Sequence, residues 1–434
     1  MKDVEARERL QRLIAPMGGI SEGATRIPPS SRLSEKFHMF SAMTGNIGFI
    51  APETMSTRQT QFDGDQVGGA GSDLLEDKAS IRALAECVER YANFMFLRSE
   101  VVVDSAQALG SAAFPLEALP LLSDTEYADP ACPLVRPRSD VPIRWVPSVS
   151  LHTGDEVLLP LVCTHLIHRA WPAELFTSSI STGVAAHFSL EKALLNGICE
   201  VIERDAIANI WLGRLSVPRF EPSEAMLADW GLDEATAIRT LFFDATLDCH
   251  ARSVYILQLT DNHPYAAQIV GCATDLSLEE ACRKVVRETL CYRTKFEHEI
   301  EIPERVEDFI RLQDGAAYMG RPEHRGAFNF LIETEAGPMP TDAELPESDA
   351  GKLAVLTDAL RKMGIDVYAI DLTTDELKDI GLWAVRVVMP QLMPMSPIYR
   401  ARYLGHPRVY DIARKNGRAG FDESAINPFP QPFA

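Results

Sequence analysis

Apolar residues recur every three or four positions in three twelve-residue stretches of the chain, and each stretch reads as a helix. The first is ASIRALAECVER (79–90), where Ile81, Ala83, Leu84, Ala85 and Val88 leave little surface for water. The second, ALLNGICEVIER (193–204), is more apolar still, with Leu194, Leu195, Ile198, Val201 and Ile202. The third, ACRKVVRETLCY (281–292), keeps the template in degraded form. Aligned, the copies place Ala79, Ala193 and Ala281 at one position and Glu86, Glu200 and Glu288 at another. Glu89 and Arg90 match Glu203 and Arg204, whereas the third copy has Cys291 in place of the second glutamate.

The rest of the pattern is mixed. VGGAGSD (67–73) and ISTGVAAHFSL (180–190) are glycine-containing loops leading into the first two repeated helices. Alternation predicts two strands within 143–165, joined by a turn at Gly154-Asp155. Further strands are predicted at 239–244, 253–260, 267–273, 366–372 and 383–389, with a helix at 351–363. Residues 1–65 are poorly periodic and read as an arm or lead-in, leaving 66–434 as the main domain. Pro-rich 114–142 and the Gly-, Pro- and acid-bearing 320–350 read as surface excursions, and 426–434 (INPFPQPFA) as an extended tail. Helices and strands mingle without the regular alternation of a doubly wound sheet, so the expected fold is a mixed α/β (α+β) one.

Composition narrows the function. With 62 acidic against 42 basic residues and a net charge of −20, the chain is a poor match for a nucleic-acid backbone or an anionic membrane. Its eight cysteines include no C-x-x-C pair, and no segment has the length of a membrane span. The N-terminus lacks a signal-peptide core, so the expected setting is the reducing cytoplasm.

The repeated glutamates carry the chemistry. Residues three apart share a helix face, so each E-x-x-E presents two carboxylates side by side with no lysine between them. A single such pair is ordinarily a solvated helix face. Two copies in apolar helices need a cationic partner, and Mg²⁺ shared with a phosphate-bearing ligand fits that demand.

These motifs resemble the YcaO superfamily, ATP-using enzymes that activate peptide amides. The resemblance rests on ALAECVERY (83–91), STGVAAH (181–187) running into CEVIERDA (199–206), the helix around Glu288, VRVVMPQLMPMSPIYRARYLGHPRVY (385–410) and PFPQP (428–432). It implies a YcaO-type fold, with glutamate-bearing helices packed on mixed sheets. It also implies Mg²⁺ ligands at Glu86, Glu89, Glu200 and Glu203, beside Arg90 and Arg204. Nucleotide contacts are expected from the same residues together with Arg82, Asn196, Lys284 and Glu288. Catalytic roles are expected of Glu203, Arg204 and the tail residues Pro432 and Ala434. Two features depart from the family: Gly69-Ala70-Gly71 offers no lysine, and His187 precedes Glu191-Lys192 where a small residue and an acidic pair are usual. Helical spacing makes Glu191 a helix-start residue; Lys192 is left open between a phosphate contact and solvent, and a structural role is favoured for His187.

The ARYLGHPR segment and the P-x-P-x-P tail are most similar to the azoline-forming cyclodehydratase branch. That branch uses ATP and Mg²⁺ to turn Cys, Ser or Thr of a precursor peptide into thiazoline or oxazoline rings in antibiotic and bacteriocin biosynthesis. It implies a separate E1-like leader-binding protein, a flavin-dependent azoline dehydrogenase acting afterwards, and a hetero-oligomeric complex containing a homodimer. Thioamide or amidine formation at the same ATP site is the alternative within the superfamily, and a non-catalytic docking scaffold the alternative outside it.

Overall fold

The computed structural model describes residues 3–14, 19–28, 37–45, 67–96, 100–166, 170–232 and 237–433. Helix α1 (Asp3–Gln11) is followed by β1 (Ser21–Ile27), β2 (His38–Thr44) and β3 (Gly68–Asp73), an antiparallel three-stranded sheet. Helix α2 (Glu76–Phe94) packs on it. Next come β4 (Val102–Asp104), β5 (Ile143–Ser150), β6 (Glu156–Pro160), β7 (Val184–His187) and the long α3 (Leu190–Gly213). A five-stranded sheet in the order β11-β10-β9-β8-β12 uses β8 (Arg219–Phe220), β9 (Arg239–Asp244), β10 (Arg252–Leu259), β11 (Gln268–Asp275) and β12 (Ala336–Gly337). Helix α4 (Leu278–Phe296) packs on β11 and β10. After α5 (Asp349–Lys362), β13 (Tyr368–Asp371) and β14 (Trp383–Val388) complete a six-stranded sheet, β4-β5-β13-β14-β7 with β6 on β5. Helix α6 (Arg408–Lys415) and the tail end the chain.

The expected α+β fold is present, and two expectations about loops change. VGGAGSD is a strand, β3, and the second glycine loop contains β7. Glycine is a poor strand former, which hides β3 in the sequence, but here it lets a helix lie unusually close. A side chain on Gly69 would run into the backbone amide of Cys87 on α2. Gly183 meets Val201 on α3 and Gly271 meets Thr289 on α4 in the same relation, eighteen residues along. The described lead-in also carries structure, since β2 pairs with β3 across the proposed division at residue 65.

Three strand–turn–helix units therefore repeat: β3–α2, β7–α3 and β11–α4. Each turn is closed by the last strand residue accepting a hydrogen bond from the backbone two residues on. Asp73 accepts from Leu75 N (3.1 Å), His187 Nδ1 from Ser189 N (3.0 Å), and Asp275 from Ser277 N (3.2 Å). His187 is thus a turn residue, and its place among two aspartates explains why it stands there. Ser189 and Ser277 then cap their helices.

The units close into a ring. Each helix touches the strand of the next unit: α2 on β7, α3 on β11, α4 on β3. At each seam the second E-x-x-E position meets the next strand. Glu89 accepts from the Ala186 amide, Glu203 accepts from Thr274 N at 3.0 Å, and Cys291 hydrogen-bonds with Ser72. Helix α3 lies at the centre, between β14 and β7 on one side and β11 on the other, with its side chains from Ala193 to Cys199 and from Asp205 to Gly213 almost all buried. That matches its nearly uniform apolar sequence.

Candidate nucleotide and metal site

The ring brings the glutamates of all three helices together. Glu86 accepts from Arg90 at 2.6 Å and from the Ala70 amide at 2.7 Å. Glu200, at the equivalent position, accepts from Arg204 at 3.0 Å and from the Gly183 amide at 3.2 Å. Glu203 is held by Arg204 (2.7 Å), Thr274 N (3.0 Å) and Lys284 Nζ (3.2 Å), so the second and third helices meet through an ion pair. Lys284 lies one turn before Glu288 on α4. Arg82 reaches Asp73 at 3.2 Å and is largely exposed, and Asn196 is half-buried at the equivalent place on α3. Glu191 is exposed in the first turn of α3, as its spacing predicts, and accepts from Ser189 Oγ at 2.9 Å.

Charge within the cluster is uneven. Burial, with Glu200 and Glu86 beside it, pushes the Glu89 carboxyl well above its usual range, and Arg90 offsets this only in part. Glu200 is raised by burial and by Glu203, against the pull of Arg204. Glu288 is likewise raised by burial, with Lys284 lowering it and Glu203 raising it. Burial disfavours the Lys284 ammonium, but Glu203, Glu288 and Glu200 more than offset that and hold its proton. The Glu86–Glu89–Glu200 side is therefore the one with too few cations.

Among the described residues no three His, Cys, Asp or Glu side chains form a ready-made metal cage. The carboxylates instead face arginines and backbone amides. This suits Mg²⁺, which is usually held by one or two carboxylates plus substrate phosphate oxygens. Clustered carboxylates with raised affinity for protons are the donor chemistry such an ion relieves. Glu86, Glu89, Glu200 and Glu203 have the donor chemistry to hold it, and Arg90, Arg204 and Lys284 are the cations beside them.

The tail runs inward. Asn427 is fully buried and bonds the Trp211 carbonyl at 3.0 Å, and Trp211 Nε1 donates to the Phe429 carbonyl at 3.3 Å. Pro432 is buried, and the Phe433 ring stands edge-on to Tyr255 with centroids 5.2 Å apart. Tyr255 pairs across β10–β11 with Cys272, whose thiol is raised chiefly by burial and next by Glu203. The described tail thus ends one strand pair behind the glutamate cluster. Ala434 lies outside the described residues.

A family model described as YcaO cyclodehydratase, ATP- and Mg²⁺-binding, matches residues 70–393. The chain belongs to the YcaO family. Among solved structures, a heterocyclase in complex with substrate and cofactor superposes with a TM-score of 0.79 at 20% identity, covering 100% of this chain and 57% of that one. A YcaO protein from Methanopyrus kandleri, bound with AMPPCP and Mg²⁺, gives 0.61 at 17% identity over 90% of this chain and 89% of its own. A chain of the E. coli microcin synthetase McbBCD complex gives 0.66 at 15% identity, with 97% and 99% covered. At these identities the structures establish a shared fold, and this YcaO chain spans a little over half of the first heterocyclase. No curated protein sequence gives a significant match. No described helix of the chain is long and apolar enough to cross a membrane.

Proposed function

We propose that this YcaO protein is an ATP-dependent cyclodehydratase that converts Cys, Ser or Thr residues of a precursor peptide into thiazoline or oxazoline rings. The convergence of Glu86, Glu89, Glu200, Glu203 and Glu288 from three helices into one under-compensated cluster supports this reading best. Bound Mg²⁺ would neutralise charge on the nucleotide, and ATP would supply the phosphoryl group that activates the amide oxygen. The chain's own part is positioning. Glu86, Glu89, Glu200 and Glu203 hold the cation, and Arg82, Arg90, Asn196, Lys284 and Glu288 frame the nucleotide. Glu203, Arg204, Pro432 and Ala434 are assigned to the reacting groups.

The proposed partners are a precursor peptide, a separate E1-like leader-binding protein and a flavin-dependent azoline dehydrogenase, in a cytoplasmic hetero-oligomer built around a homodimer. Structures of the E. coli microcin synthetase McbBCD complex, one of them with pro-MccB17 bound, support a peptide substrate and partner proteins. The test is reconstitution with a precursor and its leader-binding protein, following ADP release and the loss of one water per ring by mass spectrometry. Glu203→Gln keeps the side chain's shape but removes its charge, and should lower both signals at least about 100-fold. Wild-type turnover by that variant would end the metal-site reading. A product carrying sulfur in place of the amide oxygen would favour the thioamide alternative.

A further inference from the structure

One buried cation near the cluster has no assigned work. Arg386 sits in the middle of the six-stranded sheet, paired with Val184 of β7 and Ile370 of β13, and is 5% exposed. Its Nε and Nη1 atoms are buried and have no hydrogen-bond partner among the described residues. Buried arginines are ordinarily paired, because an uncompensated charge in the interior is costly. Burial pushes this guanidinium down to about 10, with Cys163 and Glu200 favouring its charge, so it stays cationic at neutral pH. It lines a cavity of about 110 Å³ together with Arg204, Thr182, Cys163, Met389 and Tyr403. Arg204 is already committed to Glu200 and Glu203. The cavity is therefore bounded by Arg204, which the carboxylates already hold, and by an arginine with two donor atoms unspent.

We propose that Arg386 is a catalytic residue: its guanidinium donates to the non-bridging oxygens of the phosphoryl group as that group passes from ATP to the peptide oxygen, inside this cavity. The proposal rests on the cyclodehydratase reading. In the step, the Cys, Ser or Thr side chain adds to the amide carbon and gives up its proton, an oxygen–phosphorus bond forms to the former amide oxygen, and the bond to ADP breaks. Phosphate later leaves with that oxygen, and the amide nitrogen loses its proton to give the C=N bond. A planar fork of donors suits oxygens of this kind better than an ammonium does, and arginines that meet a transferring phosphoryl group contribute chiefly in the transition state. A neutral occupant would leave the guanidinium charge uncompensated.

The test compares two nucleotide states by calorimetry. Mg²⁺–AMPPCP reports the ground-state site, and Mg²⁺–ADP with aluminium fluoride mimics the phosphoryl group in flight. In R386Q and R386K, AMPPCP affinity should stay within about threefold of wild type, while the gain from aluminium fluoride should fall at least about tenfold. Lysine should fail like glutamine, because it keeps the charge without the fork. Cys163→Met fills the cavity from another wall with Arg386 retained, and should show the same selective loss even if the Arg386 variants do not fold. An unchanged aluminium fluoride gain in a folded Arg386 variant or in C163M would overturn the proposal. A wild-type protein that fails to bind Mg²⁺–AMPPCP would instead sink the ATP-site reading beneath it.

Discussion

Glu89 shows how one side chain ties stability to ligand binding. Its carboxyl is raised by burial and by two neighbouring glutamates, so the folded protein keeps this proton to higher pH than the unfolded chain does. Stability in the absence of Mg²⁺ and nucleotide should then fall as pH rises from about 4.5, the ordinary glutamate value, through the raised folded value. Glu89→Gln removes that penalty. At pH 7 to 8 with a chelator present, the variant should melt above wild type, and the difference should vanish in acid. Its affinity for Mg²⁺–AMPPCP should fall at least about tenfold, because the same charge is what the cation needs. A variant that melts no higher and binds normally would mean Glu89 faces neither the other carboxylates nor the metal. At this scale much was legible, since same-face spacing picks out the four glutamates and alignment finds Glu288 and Lys284. Arg386 was not. A charged residue within the apolar run WAVRVV is visible, but that it lacks a partner depends on what folds around it.

At the scale of elements, the three repeated helices, α5 and β11 were legible from their patterns, and β3 and β7 were not. Runs such as VGGAGSD lack the branched residues by which strands are recognised. Their glycines answer to a constraint eighteen residues away, the approach of the helix that follows. Gly69 shows this clearly, because a side chain there meets backbone of α2 at Ala83 and Cys87, which cannot rotate aside. Gly69→Ala should cost about 1–3 kcal/mol of stability and, by shifting the helix that carries Glu86 and Glu89, weaken Mg²⁺–AMPPCP binding as well. Gly154→Ala is the control: its surroundings are open, and only its positive φ of 78° is strained. It should lose about 1–2 kcal/mol and leave nucleotide binding alone. Denaturant unfolding and calorimetry on the two variants check this, and equal nucleotide affinity in both would show that the position of α2 is not set by Gly69.

Over the whole molecule, the ring of three units explains why one repeat reads so much more weakly than the others. The third helix closes the ring against β3 through Cys291 and Ser72, a neutral contact, and supplies Lys284 and Glu288 to the shared site. Its seam carries no second carboxylate, and only the fold reveals it as an equal partner. The tail depends on this centre too. Pro428, Pro430 and Pro432 restrict the backbone to an extended path with little entropy left to lose on docking, and α3 receives that path through Trp211 and Asn427. A frayed terminus would bury neither Pro432 nor Phe433. Removing Pro430–Ala434 takes away the Phe433–Tyr255 contact, so some loss of stability is expected, of about 1–3 kcal/mol for a buried aromatic. Removing Ala434 alone leaves Phe433 and its contact with Tyr255 in the chain, and so separates the two roles. The shorter deletion should melt as wild type and bind Mg²⁺–AMPPCP normally, yet cyclise peptide at least about tenfold more slowly. If it forms rings at the normal rate while the longer deletion fails, the tail is a structural strap and Ala434 takes no part in the chemistry.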